Sequence, residues 1–253
     1  MCANDARPAA LPCPGPCAVA APPARGKPQE APMIPDLTPI FARYAELRDE
    51  ADAIFAHVAA QYPECVTCHE GCSDCCHALF DLSLVEGMAV NQAFNAAFGH
   101  GRERSDILTR ASETDRALTR HKRELFRAEK DGESPEAIMA RAAALRMRCP
   151  LLGPDERCLL YAARPITCRL YGIPTEIGGV AHVCGLSRFD KGRTYPTVRL
   201  ERFHARLDAL SREIAETVQS RFELGEVYVP LSMALLTRYD ENYLGIGPAK
   251  AED

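Results

Sequence analysis

Between residues 36 and 62, apolar side chains recur every three or four positions and form one stripe along the chain. This spacing predicts a helix that packs against a core. Pro63 ends the pattern, because proline cannot continue a helix. The sequence Ser83-Leu84-Val85-Glu86 has the form of a capping box and predicts a second helix that runs to about Phe98.

More helices are predicted on both sides of a cysteine-rich stretch. Residues 105–130 carry many charges but keep apolar side chains on one side, which predicts a long helix with a solvated face. Ser134 and Pro135 suit the N-cap and the first position of a helix that ends near Arg148. The remaining predicted helices span residues 200–218 and about 231–239.

Residues 149–184 lack helical periodicity and are rich in Cys, Pro, Gly and Tyr. Two short segments, 173–177 and 180–184, flank Gly178-Gly179, which predicts a β-hairpin with a tight primed turn. The predicted fold is therefore mainly α. It is a bundle of about five helices around an irregular cysteine-rich metal-binding region with a small β-hairpin.

The N-terminal segment differs in composition from the rest of the chain. Residues 1–35 hold nine of the 19 prolines and few large apolar side chains, so we predict that this Pro/Ala-rich tail is disordered. Residues 36–245 are predicted to form a single helical domain, and residues 246–253 to fray. A further hypothesis is that translation begins at Met33, where the ordered pattern starts. The tail's Cys2, Cys13 and Cys17 fit no compact ligand spacing.

Charge and hydropathy exclude several classes of function. The formal net charge is -5 and the chain has no Trp, so we expect no sequence-independent nucleic-acid binding. The N-terminus has no basic start followed by an apolar stretch, and no apolar run approaches the length of a membrane span. We therefore expect a cytoplasmic protein that does not bind membranes, and cysteines held as thiols or metal ligands.

Nine of the 12 cysteines fall into two groups. The first group lies within residues 65–76 and the second within residues 149–184. Soft thiolates suit zinc and iron–sulfur centres, and cysteines two residues apart can face one metal. Such tight grouping is not expected for buried apolar cysteines, and the predicted compartment disfavours a disulfide framework.

The number of metal sites stays open at this point. Cys75 and Cys76 are adjacent, so their side chains tend to diverge and serve two metals, or one metal and one neighbouring position. Nine thiols amount to about two tetrahedral sites with one spare thiol, or one cluster with reserve thiols. The two groups are predicted to meet in space, because the helical insert between them can go out and return.

The sequence resembles the YkgJ-type cysteine-cluster family, whose members are described as zinc- or iron-chelating proteins. Cys72, Cys75 and Cys76 match the end of its first motif, C-x-x-C-x-x-C-C. The segment Cys158-Leu-Leu-Tyr161-Ala-Ala-Arg164-Pro165-Ile-Thr-Cys168-Arg169 matches its second motif along the full length. An isolated cysteine between the motifs and a late cysteine are matched by Cys149 and Cys184. The resemblance covers roughly residues 65–190.

The resemblance implies a set of metal ligands for an iron–sulfur cluster or zinc. These ligands are Cys68, Cys72, Cys75, Cys76, Cys149, Cys158, Cys168 and Cys184. Cys68 departs from the family pattern, since it stands four positions before Cys72 instead of three. Cys65 is therefore an alternative or additional ligand. Further candidates near the thiols are the ligands His69, His77 and His182 and the charge-balancing side chains Arg164 and Arg169.

The function expected from this pattern is metal binding with a redox or sensing role, or a structural role in which the helices present a surface to an unknown protein partner. Two enzyme alternatives remain. The first is a protein lysine-N-methylase, because some flagellin lysine-N-methylases carry a similar cysteine set. The second is a radical S-adenosylmethionine enzyme, because Cys68, Cys72 and Cys75 have the spacing of that motif. The sequence shows no triad, carboxylate pair or phosphate loop that would supply a catalytic residue.

Overall fold

The structure is a computed structural model that describes residues 34–190 and 192–247. All of these residues belong to one compact unit. The predicted tail up to residue 33, the hypothetical start at Met33 and the last residues of the predicted frayed end lie outside the described residues. The single domain over residues 36–245 remains a prediction.

The described part of the chain is mainly helical, as predicted. Its α-helices are α1 (Thr38–Gln61), α2 (Leu84–Ala97), α3 (Arg102–Lys130), α4 (Pro135–Ala144), α5 (Ile166–Leu170), α6 (Leu200–Thr217) and α7 (Leu231–Leu236). Single 3-10 turns cover Asp74–His77, Tyr161–Ala163 and Leu224–Glu226. The periodic patterns thus located every long helix, whereas α5 lies in the stretch for which no helix was predicted.

Two small sheets complete the fold. In one, β2 (Thr175–Ile177) pairs antiparallel with β3 (Val180–His182) and parallel with β4 (Val198–Arg199). Gly178 and Gly179 join β2 to β3 with φ of 58° and 76°, the positive values that a type I′ turn requires. This confirms the predicted hairpin. The second sheet, which the sequence did not indicate, pairs β1 (Asp81–Ser83) antiparallel with β5 (Tyr228–Pro230).

Two clusters of buried apolar side chains hold the helices together. The larger cluster joins α1, α2 and α6 through residues such as Leu47, Val85 and Leu207. The smaller cluster joins α2, α3 and α7 to the second cysteine segment, whose Leu151 and Leu160 are buried in it. The core therefore reaches directly to the residues that flank the cysteines.

Two helix ends differ from the sequence prediction. Ser83 is the N-cap of α2, but its hydroxyl donates to the Glu86 carboxylate at 3.2 Å instead of capping a helix amide. The α4 helix begins with a Ser134 cap as predicted, yet it ends at Ala144 and not near Arg148. Arg146 forms a β-bridge with Ala78, just after the first cysteine segment. Residues that pair in this way cannot also continue the helix, so α4 ends earlier than predicted.

Within the described residues, no helix combines the length and the apolar character that crossing a membrane would require.

Candidate metal centre

The first cysteine segment follows α1 and folds back on itself twice. The Cys72 amide donates to the His69 carbonyl at 3.0 Å, and the Cys76 amide donates to the Ser73 carbonyl at 2.9 Å. The 3-10 turn that begins at Asp74 carries Cys75 and Cys76 on adjacent positions. This local folding places the cysteines on tight turns, the kind of backbone that presents thiols to a metal.

The second cysteine segment pairs with the first through its backbone. The Cys149 amide donates to the Cys76 carbonyl at 2.7 Å, and the Met147 amide donates to the His77 carbonyl at 3.0 Å. These two bonds bring the cysteine groups together, although 72 residues separate Cys76 from Cys149 in the sequence and include the three helices α2, α3 and α4. The groups therefore meet in space, as the sequence predicted.

A short turn aligns Cys149 with Cys158. The Leu159 amide donates to the Leu151 carbonyl at 2.8 Å, and Leu152 forms a β-bridge with Cys158. Both cysteines pack against the smaller apolar cluster. The core thus supports this pair of thiols from behind.

The short helix α5 supplies Cys168 and is anchored by two buried charged residues. Glu86 accepts a hydrogen bond from the Ile166 amide at 3.0 Å, at the N-terminus of α5. Arg169 donates to the carbonyls of Arg164 and Ala162 at 2.8 and 2.5 Å. Its guanidinium also forms an ion pair with Asp52 of α1. Arg169 therefore makes structural contacts at the wall of the cavity, and its part in balancing thiolate charge stays a prediction.

Arg164 is the better-placed cation of the two. Its guanidinium stacks on the Tyr161 ring, 3.6 Å from the centroid, and its Nε donates to the Tyr161 carbonyl at 3.1 Å. Its positive charge lowers the pKa of Cys75, Cys158 and Cys168, although larger effects dominate for each of these thiols. Arg164 therefore faces the thiols, as predicted.

Cys184 and Cys68 come together on the other side of the first segment. The Cys184 thiol donates to the Asp74 carboxylate at 3.3 Å, and Asp74 is also paired with Arg146. The Thr67 hydroxyl donates to the Leu186 carbonyl at 2.8 Å, which ties the two loops together. Gly172 lies so close to the Cys68 sulfur that a side chain there would overlap it.

One cavity of about 610 Å³ unites these residues. Its lining contains every cysteine of the predicted ligand set, namely Cys68, Cys72, Cys75, Cys76, Cys149, Cys158, Cys168 and Cys184. Asp74, Tyr161 and Arg164 also line it. Because thiols from both sequence groups surround one space, the cavity has the donor chemistry that zinc and iron–sulfur centres require.

Cys65 lies elsewhere, which corrects the prediction that it might replace or join Cys68. Its side chain is buried in the larger apolar cluster, and it does not line the cavity. Burial and the nearby Glu64 raise the pKa of its thiol. Cys65 is therefore close to the other cysteines in the sequence, but its side chain lies outside the cavity.

Only one of the three candidate histidines lines the cavity, and that is His69. The His77 ring nitrogen lies 3.1 Å from the Ser73 carbonyl oxygen, within the same turn. His182 sits in the exposed strand β3. The thiols are therefore the main donor groups around this space.

Burial makes several thiols of the cavity harder to ionise. Burial, followed by the negative charges of Cys72 and Cys184, raises the pKa of Cys68 to about 11. Burial raises the pKa of Cys149 to about 12, and it also raises the pKa of Cys168. Cys75 differs from these thiols, because a hydrogen bond from the Cys76 thiol lowers its pKa to about 7. A lowered pKa favours the thiolate, which is the form of cysteine that binds metals.

Backbone amides already point at several sulfurs. Amides of Leu151 and Leu152 donate to Cys149 and lower the pKa of its thiol, which partly opposes the effect of burial. The Leu186 amide lies 3.4 Å from the Cys184 sulfur, and the Leu160 amide acts in the same way on Cys158. Amide hydrogen bonds to sulfur stabilise thiolates in metal sites. The residues thus fit a thiolate-bound metal, although within the described residues no three potential ligands are already arranged around a common point.

Sequence reasoning missed two residues of this site. Asp74 touches the Cys184 thiol and Arg146, and a carboxylate in this position has no counterpart in the cysteine motifs. Gly172, two residues after the end of α5, lies against the Cys68 sulfur. Gly172 matters because two segments that are distant in the sequence approach each other closely there. Such an approach cannot be predicted from the sequence.

Comparison with known proteins identifies the segment that forms the cavity. Residues 67–185 match the family model described as "CxxCxxCC: Putative zinc- or iron-chelating domain". This segment begins after Cys65 and ends after Cys184, so it contains all eight cysteines that line the cavity. No curated protein and no solved structure matches the chain.

Proposed function

We propose that this chain, whose residues 67–185 match the CxxCxxCC family model, is a cytoplasmic metal-chelating protein that holds iron as a thiolate-bound iron–sulfur centre with a redox or sensing role. The observation that carries this proposal is the single cavity of about 610 Å³ lined by eight cysteines. A closed zinc site takes four ligands, so one zinc ion would leave half of these thiols unused.

The exposure of the cavity supports a role in redox chemistry or sensing. Cys68 is exposed, and Tyr161 at the cavity wall is 64% exposed. A centre behind these residues is within reach of small oxidants and of an electron-transfer partner. The positive charge of Arg164 beside the thiols favours the reduced, more negative state of such a centre.

Zinc with a structural role is the second candidate. The amide hydrogen bonds to Cys149 and Cys158 and the support of both by the apolar cluster favour this alternative, since structural zinc sites are closed and rigid. In that case the helices would present a binding surface to a protein partner.

The enzyme alternatives have less support. A radical S-adenosylmethionine fold alternates strands and helices, whereas the strands of the described residues contain two or three residues each. The Cys68, Cys72 and Cys75 spacing therefore counts for little without that architecture. No glycine-rich turn from a strand into a helix occurs in the sequence to hold a methyl donor.

Metal and sulfide analysis of the full chain, purified without oxygen, tests the proposal. We expect iron, acid-labile sulfide and a broad visible absorption that bleaches on reduction. Zinc in a colourless protein would favour the structural alternative. Protein that contains neither metal and binds neither on reconstitution would refute the proposed function, and Cys65→Ser serves as the control that should behave like the wild type.

A further inference from the structure

The C-terminal half of α3 extends past the core of the protein. The buried side chains of this helix are those of Ile107, Ala111 and Leu118, so none lies in its last 12 residues, 119–130. Most helical stability in proteins comes from packing against a core. This half of α3 therefore contributes little burial to the fold, and its outward side chains are free to serve another role.

This half of α3 carries a straight row of positive side chains, which we call the cationic face. Its members recur at alternating intervals of four and three residues, so the row stays within an arc of about 80° and is about 21 Å long. The same spacing places the row opposite Ile107, Ala111 and Leu118, the buried residues of the helix. The members of the cationic face, all of them exposed, are Arg116, Arg120, Arg123, Arg127 and Lys130.

Ion pairs within the described part of the chain leave the cationic face without a carboxylate partner. The ion pairs of α3 involve Arg102, His121 and Lys122, none of which belongs to the face. Glu124 lies at the edge of the face, but its carboxylate contacts the His121 ring at 3.3 Å. Like charges along one side of a helix repel one another, and an anionic surface placed against them relieves that repulsion.

An exposed aromatic side chain beside the cationic face favours a protein as the partner. The Phe126 ring is 55% exposed, and the Lys130 ammonium lies 4.6 Å from its centroid. Aromatic residues and arginine are enriched at protein–protein interfaces. A nucleic acid fits less well, because the formal net charge of the chain is -5 and the rest of its surface repels a polyphosphate.

We infer that the cationic face docks an acidic segment of a partner protein, whose carboxylates pair with the row of arginines. This inference goes beyond the proposed function and does not depend on which metal the cavity holds. The same helix also reaches the cavity, because Thr114 lines it and Arg110 donates to the carbonyl of Pro150, next to Cys149, at 3.1 Å. A partner on the cationic face therefore contacts a helix that forms part of the cavity wall.

Binding of fluorescently labelled poly-L-glutamate to the full chain tests the inference. The test variant carries Arg120→Gln, Arg123→Gln and Arg127→Gln together, which removes three of the five charges. We expect its affinity for poly-L-glutamate at low salt to fall by about tenfold or more. Binding by the wild type should also weaken as the salt concentration rises, because salt screens exposed charges. Glutamine is a good helix former, so circular dichroism should show an unchanged helix content.

The matched control removes three exposed arginines that lie outside α3. It carries Arg193→Gln, Arg202→Gln and Arg238→Gln, three exposed positions on other parts of the chain, and its net charge equals that of the test variant. Its affinity for poly-L-glutamate should stay within about twofold of the wild type, because the cationic face is intact. An equal loss in both variants would show that binding follows net charge alone and would overturn the inference.

Two other anionic probes, single-stranded RNA and vesicles that contain phosphatidylserine, distinguish the alternative partners. If the wild type binds either probe more tightly than poly-L-glutamate, the face serves phosphate groups and the inference is wrong. Absence of poly-L-glutamate binding at low salt overturns it as well. Metal content is measured on the same preparations and should be equal in all three proteins. A failure of poly-L-glutamate binding therefore leaves the proposed function intact, whereas a chain that holds no metal refutes that function alone.

Discussion

At the scale of single residues, the cavity depends on close approaches as much as on its thiols. Gly172 shows this most clearly, because a Cβ atom there would overlap the Cys68 sulfur and lie 3.1 Å from the Phe55 ring. The cysteines themselves could be predicted from the sequence, since nine of them fall in two short stretches. The exclusion of Cys65 and the roles of Asp74 and Gly172 could not, because each depends on which distant segment lies opposite.

The first prediction concerns Gly172→Ala. The added methyl group must displace the Cys68 side chain, so we expect the apparent metal affinity of the intact protein to fall by about tenfold, the equivalent of about 1.4 kcal/mol. The affinity is measured by competition with a coloured chelator, and far-ultraviolet circular dichroism checks that the fold is retained.

Gly185→Ala is the matched control for this substitution. Gly185 is adjacent to Cys184, yet a Cβ atom at Gly185 would meet no atom within 4 Å. Its metal affinity should equal that of the wild type. Equal affinities for both variants would show that Cys68 does not take part in metal binding.

At the scale of elements, α5 shows where tertiary contacts override local pattern. The Cys-, Pro- and Gly-rich stretch gave no helical periodicity, but Glu86 and Arg169 hold five residues of it as a helix. The longer helices were predictable because each carries a full apolar stripe. The early end of α4 could not be predicted, since it follows from pairing with a segment about 70 residues away in the sequence.

The second prediction concerns Arg169→Ala, which removes the anchor of α5. The side chain is 6% exposed and donates to two carbonyls and to Asp52. Loss of these bonds leaves buried acceptors without a donor, so we expect the free energy of unfolding to fall by about 2–3 kcal/mol. Urea denaturation of the metal-loaded protein measures this change.

The control for this prediction is Arg206→Ala. Arg206 pairs with Glu50 across α1 and α6, but both side chains are about half-exposed, so the loss should stay below about 1 kcal/mol. A similar, small loss in both variants would mean that Arg169 does not anchor α5.

At the scale of the whole molecule, the fold brings two cysteine groups to one cavity by pairing the chain on either side of the helical insert. The mainly α class and the meeting of the two groups were predictable from periodicity and from motif spacing. The two small sheets were harder to predict, because strands of two or three residues are too short to show an alternating pattern that distinguishes them from loops.

The third prediction concerns pH and follows from the raised pKa values of the two cavity thiols Cys68 and Cys149. In the unfolded chain a thiol ionises near its ordinary pKa of 9.0, whereas Cys68 ionises at about 11 and Cys149 at about 12 in the folded protein. A raised pKa in the folded state adds stability below pH 9.0, and this stability is lost as the pH rises through the folded values.

The metal-free protein should therefore lose unfolding free energy between about pH 9 and about pH 12, whereas the metal-loaded protein should change little, because its thiols are already deprotonated. Urea denaturation under reducing conditions measures both forms. A metal-free protein whose stability rises over this range would contradict the burial of these thiols.

The most direct test of the central claim is the metal content of Cys168→Ser together with the alkylation of Cys76. Both cysteines line the cavity, but they come from different sequence groups. If thiols of both groups hold one metal, removal of Cys168 should lower the metal content and expose Cys76 to iodoacetamide, whereas Cys65→Ser should change neither. Unchanged metal content and a protected Cys76 in Cys168→Ser would contradict a metal centre shared between the two groups.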